Sequence, residues 1–134
     1  DQVVEPQLTA GNWVLCDRFT DATYAYQGAG REMGYELISN LEATVQGDLR
    51  PDLTLILDIP VEQGLQRAGE RSQPDRFEQE QTVFFKRVRE AYHSIAKQNP
   101  QRCVLIDASL SLPLVQAQIG DALDNFWLSL EERG

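Results

Sequence analysis

Trp13-Val14-Leu15-Cys16-Asp17-Arg18-Phe19 is the stretch on which the reading of the chain turns. Four apolar residues in a row predict a short strand over 13–17, covered on both faces, with an acid and a base arriving together where it ends. In an open α/β sheet the carboxyl ends of the strands face the ligand crevice. A charged pair at such an exit is solvated, ion-paired or functional, and these residues alone leave the three open.

Outward from that strand the chain alternates. Residues 2–10 predict the tail of a helix that stops at Gly11, with Pro6 near its end. Residues 20–27 suit a short helix closed by Gly28-Ala29-Gly30, and Leu37, Ile38, Leu41 and Val45 predict a helix over about 34–46. Arg50-Pro51-Asp52 is a turn that launches a second strand, Leu53 to Asp58. A helix is expected over 61–71, then a polar loop, Glu70-Arg71-Ser72-Gln73-Pro74-Asp75-Arg76. Phe84, Val88, Ala91 and Ile95 form one stripe of a helix over about 79–98, ended by Asn99-Pro100. Cys103 to Asp107 is a third strand. A last helix near 112–131 turns Val115, Ile119, Ala122, Leu123, Phe126 and Leu130 to one face. Strands separated by helices imply parallel pairing through right-handed crossovers, hence an α/β fold. Neither a repeat nor an interdomain linker divides the chain, so residues 1–134 are expected to form one domain.

The formal charge is −9, from 21 acids against 12 bases. That balance argues against broad binding to nucleic-acid backbones or anionic lipid, which need a basic surface. It leaves a small anionic substrate open. All the cations except Lys86 and Lys97 are arginine, the side chain that grips phosphate bidentately. No apolar run approaches the roughly 18 residues of a membrane span. Cys16 and Cys103 lie in apolar runs and are expected to be buried free thiols of a reducing compartment. With His93 the only histidine, a zinc site or a histidine-based triad is disfavoured.

Gly28-Ala29-Gly30-Arg31-Glu32-Met33-Gly34 is not a dinucleotide loop. Its third glycine comes one residue late, and a helix-like segment precedes it where a strand is required. A Walker A lysine is also missing, since neither lysine follows a glycine. What remains is a series of loop arginines: Arg18, Arg31, Arg67, Arg71 and Arg76. Guanidinium groups on a mobile segment beside a parallel sheet suit phosphoryl transfer, where negative charge spreads over the equatorial oxygens. Spacing alone allows equally that Arg67 and Arg76 pair with Glu62, Glu70 or Asp75 on the surface.

The run Asp17-Arg18-Phe19-Thr20-Asp21-Ala22-Thr23-Tyr24-Ala25-Tyr26-Gln27-Gly28 resembles the Asp-Arg-aromatic motif and following segment of bacterial thymidylate kinases. Arg50 to Asp58 resembles their fourth strand, and Gly64 through Glu78 their lid, here about 70–77. The resemblance implies a P-loop kinase-like parallel sheet with helices on both faces, incomplete because the first two strands and the P-loop precede the matching part. It implies transfer of a phosphoryl group from ATP, with Mg2+, to thymidine monophosphate, giving thymidine diphosphate. Arg18 would hold the monophosphate. Asp17 would stand by the reacting phosphates and reach magnesium through water. Thr23 and Gln27 would border thymine and sugar, and Tyr26 would pack where a 2′-hydroxyl collides. Arg71 would be the lid arginine brought to the transferred group, with Arg67 against the adenine and the loop after Asp107 on its other side. Ala22, where relatives often carry Ser, and Gly69, often basic in the lid, depart from the pattern. The resemblance further implies a cytoplasmic protein that forms a homodimer at full length, and a fragment that alone does not turn over. Two other readings stay open: another P-loop nucleotide or nucleoside kinase, and a non-catalytic nucleotide-binding remnant.

Overall fold

A computed structural model describes residues 3–17, 21, 25, 49–67 and 76–133, with the backbone alone for 76–79. Helix α1 spans Val4–Thr9, strand β1 Thr54–Asp58, helix α2 Val61–Arg67, helix α3 Arg76–Gln98, strand β2 Cys103–Asp107 and helix α4 Leu112–Arg133. β1 and β2 pair in parallel, Thr54 opposite Cys103 and Asp58 opposite Asp107, so both strands finish at one edge. The α/β class and the helical crossover between parallel strands agree with the alternation in the sequence.

Side-chain alternation assigns the helices to the two faces of this sheet. Ile56 and Cys103 point to the α3 side, where they cluster with Ala96 and the half-buried Tyr92 and Ile95. Val104 and Ile106 point the other way and share a groove with Ala122 and Phe126 of α4. Ile106, 1% exposed, is the most deeply buried large side chain among the described residues. Apolar cover on both faces is why these strands read as continuous hydrophobic runs.

The ends of α3 and α2 follow from local chemistry. Pro100 has no N–H and disfavours helical geometry in the residue before it, so α3 stops at Gln98. Asn99 then turns the chain: its carbonyl accepts from the amides of Arg102, at 3.1 Å, and Cys103, at 2.9 Å. α3 begins at Arg76, three residues before its expected start, and so takes in the last positions of the expected lid loop. In α2, a Cβ at Gly64 would sit 3.3 Å from Ile59 Cγ2, so the missing side chain lets the helix lie close to the strand exit. Gly11, φ +86°, follows the C-cap of α1 at Ala10 in the left-handed conformation that ends helices.

Three expectations need correction. Trp13–Asp17 is not a strand: Asn12 to Cys16 form no ladder, and Leu15 is 99% exposed. A run of strand-forming residues becomes a strand only when a neighbour supplies ladder hydrogen bonds, and among the described residues β1 and β2 bond only each other. Trp13 instead packs on the end of α4, edge-on to Phe126 at 6.2 Å and stacked on Trp127 at 5.8 Å. Cys16 is consequently exposed, whereas Cys103 is buried as expected; both are free. On α4, Leu123 lies off the buried stripe and is 47% exposed, while Ala122 is buried. The predicted helices over 20–27 and 34–46 fall outside the described residues, apart from Asp21 and Ala25.

Candidate functional site

The strands present their carboxyl ends together, and the segment leaving β2 is held there by α2. One helical turn apart, Gln63 and Arg67 point the same way. Gln63 Nε2 donates to the Ser109 carbonyl at 3.1 Å. Arg67 donates to the carbonyls of Ala108, of Ser109 at 2.9 Å and of Leu110 at 3.4 Å. From below, the Ala108 amide donates to the Asp58 carbonyl at 2.7 Å. Asp107 Oδ1 accepts from the Ser109 amide at 3.0 Å and from its hydroxyl. A loop whose amides and carbonyls are engaged this fully is a rigid platform. With Nη1 and Nη2 turned onto carbonyls, the exposed Arg67 guanidinium offers its flat face, which stacks on aromatic rings.

Asp58 is the second feature of this edge. Its Oδ1 accepts from Arg89 Nε at 2.9 Å and from His93 Nε2 at 2.8 Å, and Oδ2 accepts from Arg89 Nη2 at 3.3 Å. Arg89 and His93 are i and i+4 on α3, facing the side of the sheet toward which Asp58 points. Burial pushes the carboxyl pKa upward, but the hydrogen bonds and charges of Arg89 and His93 outweigh it and hold Asp58 below the usual carboxylate value. The bond to Asp58 reciprocally raises the Arg89 guanidinium.

At the amino end of the strands Arg102 closes a different contact. It donates to both oxygens of Asp21, at 2.6 and 3.2 Å, and to Thr54 Oγ1 at 3.2 Å. Ala25, fully buried, packs on Val88 and Ala91 of α3 beside Phe84 and Tyr92. Asp21 is therefore at the opposite end of the sheet from Arg67, a separation of roughly 13 Å along a five-residue strand.

Of the site residues predicted from sequence, Asp17 and Arg67 lie among the described residues; Arg18, Thr23, Tyr26, Gln27 and Arg71 lie outside them. Asp17 is exposed, and no hydrogen bond or ion pair among the described residues joins it to Arg67. Arg67 meets the loop after Asp107; of the acids that its spacing allowed, Glu62 pairs with Lys86 at 3.0 Å, and Glu70 and Asp75 lie outside the described residues. Sequence reasoning missed Gln63, Asp58, Arg89 and His93. Their signal was the i, i+4 spacing of each helical pair and a carboxylate at a strand exit. The groove between β2 and α4, about 430 Å³, contains none of the predicted site residues. No group of three or more metal-ligating side chains occurs among the described residues.

Comparison with known proteins adds the family context. A family model described as thymidylate kinase matches residues 1–119. The thymidylate kinase of Methylococcus capsulatus is 53% identical over 124 residues, covering 92% of this chain and 60% of that protein. That of Pseudomonas putida strain F1 is 60% identical over 122 residues, covering 91% and 58%. The crystal structure of thymidylate kinase from Ehrlichia chaffeensis superposes with a TM-score of 0.68 at 31% identity, covering 92% of this chain and 56% of that one. The chain thus spans about 60% of the length of the curated relatives it matches.

Proposed function

The chain belongs to the thymidylate kinase family, and from that premise we propose that it serves transfer of the γ-phosphoryl group of ATP to thymidine monophosphate. The observation that carries the reading to this chain's own residues is the Arg67 guanidinium bonded to the loop after β2. The exposed planar cation, with Nη1 and Nη2 bonded to carbonyls, forms one wall of an adenine subsite, and the 108–110 backbone borders it. With both terminal nitrogens turned onto carbonyls, Arg67 presents its flat face to the base.

The other roles follow from family membership. Arg18 holds the acceptor phosphate through paired N–H donors. Thr23 and Gln27 hydrogen-bond thymine and sugar, and Tyr26 fills the space of a 2′-hydroxyl. Arg71, within a lid of about 70–77, closes over the group in flight and stabilises its equatorial charge. Mg2+ typically keeps several waters and takes one or two carboxylates plus substrate phosphates. Asp17, an exposed carboxylate, would reach the ion through water. When bound, the ion would neutralise phosphate charge.

No helix among the described residues is long and apolar enough to cross a membrane. We place the protein in the cytoplasm, as a single domain that pairs with a second copy at full length. The test of the activity is thymidine diphosphate formation by the protein carrying this sequence, supplied with ATP, Mg2+ and a panel of nucleoside monophosphates. Thymidine monophosphate should be the preferred acceptor; equal use of a ribonucleotide, or of a deoxynucleoside lacking phosphate, would contradict the reading.

A further inference from the structure

Ser109 O lies between two side chains of one helix. Gln63 Nε2 approaches it at 3.1 Å and Arg67 Nη2 at 2.9 Å, one donor for each lone pair of the carbonyl. Gln63 is half-buried and Arg67 exposed, so the two bonds are unequal in what they can fix. An exposed Arg has long-stemmed freedom and strong competition from water, and its bonds alone hold a loop weakly. A half-buried amide on the first turn of α2 loses less to solvent. With Asp107 Oδ1 on the Ser109 amide and Asp58 O on the Ala108 amide, Gln63 is the half-buried side chain, beside the exposed Arg67, that ties the loop crest back to α2.

We propose that Gln63 is a positioning residue for the adenine of ATP. It touches no substrate; it fixes the Ser109 carbonyl, one of the three carbonyls that orient the Arg67 face. This rests on the adenine reading of Arg67 given above. Its consequence is selective: loss of the Gln63 donor weakens recognition of the base and leaves recognition of the polyphosphate alone.

The test is a set of calorimetric titrations of the active protein carrying this sequence and its variants with ATP and, separately, with inorganic tripolyphosphate. Gln63→Met keeps length and helix propensity but removes the donor; ATP affinity should fall about five- to tenfold, the worth of one hydrogen bond, with tripolyphosphate binding unchanged. Gln63→Lys restores a donor of similar reach and should recover most of the loss. Arg67→Ala should weaken ATP at least as much as Gln63→Met. Unchanged ATP affinity in Gln63→Met, alongside a clear loss in Arg67→Ala, would overturn the role of Gln63 and leave the adenine subsite standing. A loss shared equally by ATP and tripolyphosphate, or unrelieved by Gln63→Lys, would also overturn it. If Arg67→Ala binds ATP as the parent chain does, or the parent chain does not bind ATP, the adenine subsite itself fails and the role of Gln63 with it.

Discussion

Arg89 Nε stands 2.9 Å from Asp58 Oδ1, joining the middle of the longest helix to the last residue of β1. The same oxygen meets His93 Nε2 at 2.8 Å, so a carboxylate at the sheet's carboxyl edge has two partners one helical turn apart. The strand exit is thereby fixed against α3, and with it the Asp58 carbonyl that receives the Ala108 amide.

Stability should consequently fall in acid. The Asp58 carboxyl is held below its usual value in the folded chain, so over the acid range the unfolded state binds more protons. Its contribution is fully present above the unfolded pKa and disappears as pH falls through the lower folded one. Thermal melts from pH 6 to pH 2.5 should show a steeper loss for the parent chain than for Asp58→Asn. Parallel profiles would mean that this carboxylate contributes nothing.

Removing Arg102 should be costly. Asp21 is 14% exposed at its side chain, and Arg102 is its bidentate partner. A largely buried carboxylate left without its cation costs about 3 kcal/mol. Chemical denaturation of Arg102→Met should show a loss of that order; the double variant with Asp21→Asn should regain part of it. A single-variant loss below about 0.5 kcal/mol would place the pair among surface ion pairs of little worth.

The two thiols should react at very different rates. Cys16 is exposed, while Cys103 is buried and its pKa is raised, chiefly by burial. A thiol-specific reagent at pH 8 should label one cysteine quickly and the second only in denaturant, as peptide mapping would show. Rapid labelling of both would contradict the packing of Cys103 against Ile56 and Ala96.

Catalysis should depend on Arg71 far more than on Arg67. By analogy with arginine fingers, Arg71→Ala should lower kcat by about 10³-fold in the active protein, with thymidine monophosphate affinity largely retained. Arg18→Ala should weaken the acceptor as well as slow transfer. Equal losses of binding and rate in Arg71→Ala would make it a ground-state contact.

Where pattern and neighbour coincide, the sequence is legible. Cys103–Asp107 and Leu112–Arg133 were readable because β2 has cover on both faces and α4 carries a periodic stripe. Leu53 stood one residue outside β1, an ordinary uncertainty at a strand end. Trp13–Asp17 shows the limit: its composition suits a strand, yet ladder partners are a tertiary property, and among the described residues the aromatic end of α4 offers Trp13 the contact instead. Cys16 followed it into solvent. At the site, Arg67 came from the resemblance to thymidylate kinases, because its spacing alone allowed a surface ion pair equally. Gln63 and His93 were passed over because the i, i+4 spacing each shares with an arginine gains meaning only once the loop or carboxylate it meets is in place.

The most direct measurement of the account is an isotope-filtered NMR titration of the labelled chain with ATP, reading proximity to adenine H2 and H8. Cross-peaks from these protons to Arg67 side-chain protons and to the 108–110 loop are expected, with shifts confined to α2 and the exit of β2. Adenine contacts in the groove between β2 and α4, at Val104, Ala122 or Phe126, with Arg67 unmoved, would contradict it.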